Sequence, residues 1–145
     1  MAETKDVTRQ MIEIWDMTDT DWMGYKIGNK NPFTYHHLRV AKKNGGHTTI
    51  ENGAILCGRT GHPYLHVIER YDRDKFLYLT KILIEVNDQR KMPSYEQLSR
   101  IDDVLEEFEN EYSGKTNKKG HYLIRDSFEK RLVKKKSFYF FDDTL

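Results

Sequence analysis

The feature that most constrains the fold is an amphipathic segment, Tyr95–Tyr112. Ser94 and Gln97 are spaced as a capping box at its start, and Gly114 follows its end, where glycine commonly terminates a helix. Apolar residues recur through the segment at steps of three and four: Leu98, Ile101, Leu105, Phe108 and Tyr112. This spacing predicts an α-helix with one apolar face. That face belongs either to the core of the chain or to a homodimer interface, because two heptad repeats do not specify a coiled coil.

The rest of the chain predicts a mainly helical α+β fold. Helices are expected over residues 4–15, where apolar residues recur at helical spacing, and over residues 62–71. By periodicity alone residues 76–86 could be helix or strand, and their length and charged flanks favour a helix. Thr4 is the expected N-cap of the first of these helices, and Pro63 fits the first turn of the second. Three short apolar runs are typical of strands: residues 23–27, 33–38 and 53–57.

Size and composition indicate one folded domain. The chain has 145 residues, 37% hydrophobic and 12% aromatic, enough for a modest core. Its single cysteine, Cys57, excludes an internal disulfide and a multi-cysteine zinc site. The first residues lack the apolar stretch of a signal peptide, and no run approaches the roughly 18 apolar residues of a membrane span. We therefore expect a cytoplasmic protein with no membrane partner.

Charge is unevenly distributed although the net charge is only +1. Ile101–Tyr112 holds six acidic residues and no basic one, whereas Lys115–Lys136 holds nine basic residues against two acidic ones. We therefore expect a globular domain over residues 1–112 and a basic C-terminal extension over residues 113–145, either free or packed on the body. Three consecutive lysines are candidate contacts to a nucleic-acid backbone: Lys134, Lys135 and Lys136. A solvated face, or neutralisation by the acidic helix, is the alternative.

Histidines form the most informative cluster. Five of the six lie within 31 residues. His36 and His37 are adjacent at the end of an expected strand, and His62 and His66 are four apart on an expected helix. The latter spacing places both imidazoles on one helical face, where they can bind the same cation. A third ligand must come from elsewhere, and the strand can supply it.

This pattern resembles the HNH, or ββα-metal, endonuclease family, with spacings similar to those of the colicin-type DNases. Asn52 follows His37 by fifteen positions, His62 follows Asn52 by ten, and His66 follows His62 by four. The other matched positions are Gly45, Gly46, the run Asn52–Cys57 and Gly61. The resemblance covers about residues 33–70. It implies a ββα-metal motif, two short strands and a helix, embedded among flanking α-helices.

The resemblance also implies a role for each matched residue. His36, His62 and His66 resemble the ligands of one divalent metal ion, and His37 resembles the general base. Asn52 resembles the residue that bridges the long loop and helps to orient that base. Three imidazoles favour zinc, with magnesium, nickel and manganese as alternatives. Many relatives have aspartate at the first ligand position, which favours magnesium in them. The implied activity is hydrolysis of phosphodiester bonds, in DNA rather than RNA.

Other residues near the motif allow several interpretations. Four cations are candidate nucleic-acid contacts or ordinary surface charges: Arg39, Lys42, Lys43 and Arg59. His47 and His121 have no partner at ligand spacing, and Cys57 is expected to pack in the core. The alternative function is a catalytically silent, metal-stabilised module that binds nucleic acid or protein on the same scaffold. Cleavage of plasmid DNA with added divalent metal distinguishes the two.

Overall fold

Four α-helices and a two-stranded antiparallel sheet form the fold in the computed structural model, which describes residues 3–132. The helices are α1 (Thr4–Ile14), α2 (Gly61–Tyr71), α3 (Arg73–Gln89) and α4 (Tyr95–Tyr112). The strands are β1 (Phe33–His37) and β2 (Gly53–Cys57). The expected mainly helical α+β class, with two short strands and a helix among flanking helices, is confirmed.

Helix ends follow local hydrogen bonding. The capping box of α4 is present, since Ser94 Oγ accepts from Gln97 N and Gln97 Oε1 accepts from Ser94 N. α3 is longer than expected because the side chain of Asp72 caps it, accepting from Lys75 N. Thr4 is the first helical residue of α1 rather than its cap; extended Glu3 occupies the cap position without a side-chain bond.

The prediction of a strand at residues 23–27 is wrong. This segment is a loop held by isolated bridges, Thr20 with Lys26 and Gly28 with Asn31. The buried carboxylate of Asp21 accepts from the backbone N–H groups of Met23, Tyr25 and Cys57. A side chain therefore satisfies backbone donors that a strand ladder would otherwise have paired.

Sheet register places His36 beside α2. β1 and β2 pair so that His36 lies opposite Ala54 and His37 opposite Gly53. β2 is buried along its whole length, and the turn that follows leads directly into α2. Gly53 must lack a side chain, because a Cβ there would lie 2.4 Å from Cε2 of Tyr35 on the facing strand.

The apolar face of α4 is part of the core of this chain. Ile101, Leu105 and Phe108 are fully buried, and Phe108 packs edge-on to the ring of Tyr64 from α2. Of the two uses that the sequence allowed for this stripe, the intrachain core is the one observed. None of the helices within residues 3–132 is long and apolar enough to span a membrane.

Part of the basic segment after α4 also packs on the body. Phe128 is fully buried and stacks on Tyr64, with ring centroids 4.6 Å apart. Arg131 is buried and pairs with Asp102 and Glu109 of α4 at 2.7 and 2.6 Å. Residues up to 132 therefore belong to the folded body. Three predicted nucleic-acid contacts lie outside the described residues: Lys134, Lys135 and Lys136.

Candidate metal centre

Three of the predicted ligands come together between β1 and α2. One ring nitrogen from each of His36, His62 and His66 lies within 4.8 Å of those of the other two. Their ring centroids are 5.0 to 5.3 Å apart. His36 reaches the site from the end of β1, while His62 and His66 face it from consecutive turns of α2. Neighbouring imidazoles at this distance can converge on a single cation.

His36 supplies a buried nitrogen without a partner. The residue is 5% exposed, and its Nε2 has no hydrogen-bond partner within the residues that the structure describes. Buried polar atoms are rarely left unsatisfied, because desolvation without a new bond is costly. Burial, and then the neighbouring His62, lowers the pKa of His36 to about 3, so the ring is neutral. Coordination of a metal ion would satisfy Nε2.

His62 is held in one tautomer by Thr34. Nδ1 of His62 lies 2.8 Å from Thr34 Oγ1, and the same hydroxyl donates to Leu56 O at 2.7 Å. The single hydroxyl proton is thus already in use, so Nδ1–H must be the donor to Thr34. The lone pair of His62 is then on Nε2, the nitrogen free to bind a metal. Burial lowers the pKa of His62 to about 4, which also favours the neutral ring.

Glu69 sets the tautomer of His66 in the same way. Nδ1 of His66 lies 3.1 Å from Glu69 Oε1, and a carboxylate can only accept, so Nδ1–H donates. In the neutral ring, which is the form that binds a metal, Nε2 therefore carries the lone pair. Glu69 is held from its other side by Arg73, at 3.7 Å. A carboxylate or hydroxyl behind a histidine is the usual arrangement around metal ligands, because it fixes ring orientation and raises basicity.

The donor set fits a borderline divalent ion. Three imidazole nitrogens suit zinc or nickel better than magnesium, which prefers oxygen ligands. Within residues 3–132 the cluster has three members from the ligand-forming residue types. Structural zinc sites generally use four protein ligands, whereas three leave a coordination position for water or substrate. The arrangement is therefore that of an open site.

The turn into α2 is shaped by Asp21. Its Oδ2 accepts from Cys57 N at 2.7 Å, and a Cβ on Gly61 would lie 2.5 Å from this oxygen. Glycine is therefore required at the first residue of α2, immediately before His62. A second hydrogen bond holds this turn, since Asn31 Oδ1 accepts from Arg59 N. Burial raises the pKa of Asp21 to about 6, against the effect of its three backbone donors.

Asn52 closes the long loop between the strands. Its Oδ1 accepts from Arg39 N and Val40 N, both at 2.8 Å. Its Nδ2 donates to Val40 O at 2.9 Å and to His47 O at 3.0 Å. Close packing of the loop leaves no space for a side chain at Gly46, where a Cβ would meet Val40 O at 2.0 Å. Asn52 thus bridges the loop, and none of these bonds is made to His37.

His37 lies on the other face of β1 from the three-histidine cluster. Its ring packs edge-on to Tyr35, at 4.9 Å between centroids, and its Nε2 is 3.4 Å from Thr48 Oγ1. The alternation of side chains along a strand explains this separation from His36. His37 is partly exposed and lines a cavity of about 940 Å³ with Lys42 and the following loop. Burial, and then Lys42, lowers its pKa.

The candidate nucleic-acid contacts divide into two kinds. Arg39 is engaged within the chain, since Nη2 is 2.6 Å from Asp88 Oδ1 and Nε donates to Glu51 O. Lys42, Lys43 and Arg59 are exposed and form no side-chain ion pair within residues 3–132. Among the predicted contacts within residues 3–132, these three side chains are the free cations.

Sequence reasoning missed Thr34 and Glu69, although each has a periodic signal. Thr34 is two residues before His36, which places both on the same face of β1. Glu69 is three residues after His66 on α2, a spacing at which helical side chains meet. Cys57, expected in the core, is fully buried and lies outside the histidine cluster.

No family model, curated protein or solved structure matches this chain. The HNH resemblance therefore stays a prediction that depends on the histidines, Asn52 and their spacing.

Proposed function

We propose that this chain is a metal-dependent endonuclease of the HNH type that hydrolyses phosphodiester bonds, with DNA as the favoured substrate. One observation carries the proposal: two of the three clustered histidines donate Nδ1–H outward, and the third has a buried Nε2 without a partner. All three rings therefore have Nε2 available for a common ion. An arrangement with outward donors and inward lone pairs is suited to a ligand rather than to internal hydrogen bonding.

Each side chain has a distinct task in this proposal. His36, His62 and His66 hold the ion, while Thr34 and Glu69 keep the rings of the last two in the ligand tautomer. A single divalent ion, zinc first and nickel, manganese or magnesium as alternatives, would stabilise negative charge on the scissile phosphate. With three protein ligands, the cluster leaves space for a phosphate oxygen to approach.

His37 is the proposed general base. It is neutral, partly exposed and next to a ligand in sequence, and it opens onto a cavity rather than into the core. Its ring would accept a proton from the attacking water and release that proton to solvent after the phosphodiester bond breaks. Thr48 contacts the ring, and Asn52 holds the loop that carries Thr48. Asn52 therefore positions the base through the backbone.

The remaining elements of the proposal concern substrate and location. Lys42, Lys43 and Arg59 are the free cations that would contact phosphates near the histidines. A reducing, cytoplasmic compartment is consistent with one buried cysteine and no disulfide within residues 3–132.

A structural role for the ion is the competing proposal, and the position of His36 favours it. An ion at the cluster would link the end of β1 to α2, as a structural metal does. In that case the protein would bind nucleic acid or another protein without cleaving it. Removal of the metal would then lower stability, and His37 would have no part in activity.

Plasmid cleavage with defined metal content tests the proposal. The protein is stripped with chelator, reloaded with zinc, nickel, manganese or magnesium, and incubated with supercoiled DNA. We expect nicking by the wild type, and a loss of at least about 10²-fold for His37→Ala, the scale of a general base. His37→Ala should retain one ion per chain by elemental analysis, whereas His66→Ala should lose it. His47→Ala, an exposed histidine of the same loop, is the control and should keep most of the rate.

Two results would contradict the proposal. If the plasmid stays intact with every metal, the ion has a structural role and the protein is not a nuclease. If His37→Ala cleaves at the wild-type rate, His37 is not the general base.

A further inference from the structure

A second cavity, separate from the one that His37 lines, has His66 in its lining. It has a volume of about 950 Å³ and lies between α2 and residues 117–126. His66 is one of the proposed metal ligands. The cavity therefore adjoins the candidate site through His66, and its volume is within the range of ligand-binding clefts. We call it the α2 groove.

Cations line both walls of the α2 groove. Arg70 is exposed in the last turn of α2, and Arg125 faces it from the segment after α4. Neither guanidinium forms an ion pair within the described part of the chain, residues 3–132. The ring of Phe128 lies under Arg125 at 5.1 Å, which restricts where the charge can move. Asp126 is the acidic residue in the lining, so the groove is positive overall.

Two tyrosines in the α2 groove present aromatic surface to solvent. Tyr122 is 67% exposed and Tyr71 is 37% exposed. Tyr122 is held by a bridge to Thr116, within a turn in which Asn117 N donates to His121 O and Gly120 has a φ of +82°. An exposed ring on a hydrogen-bonded turn can stack on a planar ligand with little further loss of conformational freedom.

We infer that the α2 groove holds an unpaired strand of nucleic acid that runs from the metal centre, with bases against Tyr122 and Tyr71 and phosphates against Arg70 and Arg125. A cationic groove with exposed aromatic rings is the general design of single-strand sites. A duplex buries its base faces, so it could use the arginines but not the tyrosines. The inference rests on the proposed function for its connection to cleavage, but strand binding can be measured without cleavage.

Binding is tested on the full chain with chelator present, so that no cleavage occurs. The probe is a labelled oligo-dT of about 16 nucleotides, the upper end of site sizes for one single-strand-binding fold, followed by fluorescence anisotropy. Tyr122→Ala should weaken binding about 5- to 100-fold, as expected for loss of one stacked base. Tyr95→Ala, a tyrosine 56% exposed at the start of α4, is the matched control and should leave affinity unchanged.

The arginines are tested by salt dependence. Each phosphate contact on a single strand contributes about 0.7 to the slope of log affinity against log salt. Arg70→Gln combined with Arg125→Gln should therefore lower the slope by about 1.4. Arg9→Gln, an exposed arginine of α1, is the control. Thermal unfolding of each variant separates lost binding from lost folding, since Arg125 contacts Phe128.

A duplex of the same length separates the occupants. Tyr122→Ala should change duplex affinity much less than single-strand affinity. Equal losses on both, no loss on either, or no binding of either probe by the wild type would overturn the inference; the last result would point to a protein partner. Strand binding that depends on Tyr122, without plasmid cleavage, would keep the inference and reject the nuclease. If the wild type cleaves plasmid and the groove variants bind the single strand as tightly as the wild type, the nuclease proposal is kept and the groove inference is rejected.

Discussion

Two groups of ionisable side chains in this fold are arranged in opposite ways: the ionic cluster of Arg131, Asp102 and Glu109 is buried, whereas the histidine cluster extends from buried His36 through half-buried His62 to exposed His66. In the ionic cluster, Arg131 donates to Asp102 and Glu109, and Tyr64 also donates to Glu109 at 2.9 Å. All three guanidinium nitrogens of Arg131 have acceptors within the chain. Opposite charges thus satisfy one another without any external ligand.

The histidine cluster contains three side chains of the same kind. His62 and His66 use their outward nitrogens on Thr34 and Glu69, while His36 has a buried nitrogen with no partner in residues 3–132. Once both outward N–H groups are set, the neutral rings of His62 and His66 present only the lone pair of Nε2 to the cluster. Polar groups that satisfy one another, as those of the ionic cluster do, stabilise a fold, whereas groups satisfied on one side only are prepared for a ligand.

The largest expected effect comes from breaking the ionic cluster. Arg131→Met should lower the free energy of unfolding by about 3–5 kcal/mol, because two carboxylates are left buried without a counter-charge. Urea unfolding measures this, with Arg125→Met, an exposed arginine of the same segment, as the control. Adding Asp102→Asn and Glu109→Gln should recover part of the loss. A variant as stable as wild type would show that the cluster is not structural.

This result bears on truncation of the C-terminal segment. Ending the chain after Gly114 would remove Phe128 from the core and Arg131 from the ionic cluster. The histidine site would then be lost through unfolding. Salt dependence of binding by such a truncated chain would say nothing about the basic residues.

Asp21 is a third arrangement, a buried carboxylate with backbone donors and no cation, and its effect depends on pH. Because burial raises its pKa from 3.8 to about 6, the folded state favours the protonated form. The stabilisation is present below pH 3.8 and is lost as pH rises through about 6. The loss is about 3 kcal/mol. The titratable groups facing it, Cys57 and Tyr25, have raised pKa values and stay neutral in this range.

Comparison with Asp21→Asn isolates this contribution. The difference in unfolding free energy between wild type and variant should change between pH 4 and pH 7, with the wild type losing stability relative to the variant. A constant difference over that interval would mean that Asp21 stays ionised, held by its three N–H donors.

Much of the fold was predictable from periodicity. Apolar residues in α4 and β2 repeat at the spacing of the elements they form, and the pair His62 and His66 shares a face for the same reason. The loop around Asp21 was not predictable, because the side chain of Asp21 accepts the hydrogen bonds that a neighbouring strand would otherwise accept. Arg131 was not distinguishable from the neighbouring cations, since charge composition does not indicate which one meets two acids of α4 in space.

For the candidate site, the grouping of the histidines was predictable from the sequence, but their tautomers were not. Spacing brings His36, His62 and His66 together, but a lone pair on a given nitrogen depends on hydrogen bonds such as that of Thr34 with Leu56 O. Such bonds are set by the sheet register, which sequence alone does not provide. His37 and His36 lie on opposite faces of β1, because adjacent side chains alternate along a strand that does not bend.

Outward partners of the histidines should affect metal affinity moderately. Glu69→Ala removes the acceptor of His66 Nδ1–H and should weaken zinc binding about 10- to 100-fold, measured by calorimetric titration. Arg73→Ala is the matched control, because it removes the other partner of Glu69 and leaves the bond to His66. Equal affinities for Glu69→Ala and Arg73→Ala would mean that Glu69 does not orient the ligand.

The smallest effect is expected where a cation is already satisfied. Arg39 pairs with Asp88 at the surface, so Arg39→Gln should change the free energy of unfolding by less than about 1 kcal/mol. It should also leave the salt dependence of duplex binding unchanged, since its guanidinium would have to leave Asp88 to reach a phosphate. Lys42→Gln, at a neighbouring free cation, should lower that slope by about 0.9. If Arg39→Gln lowers the slope as much as Lys42→Gln does, an internal ion pair does not prevent a surface cation from binding phosphate, and the distinction between satisfied and free groups applies only to the ionic and histidine clusters.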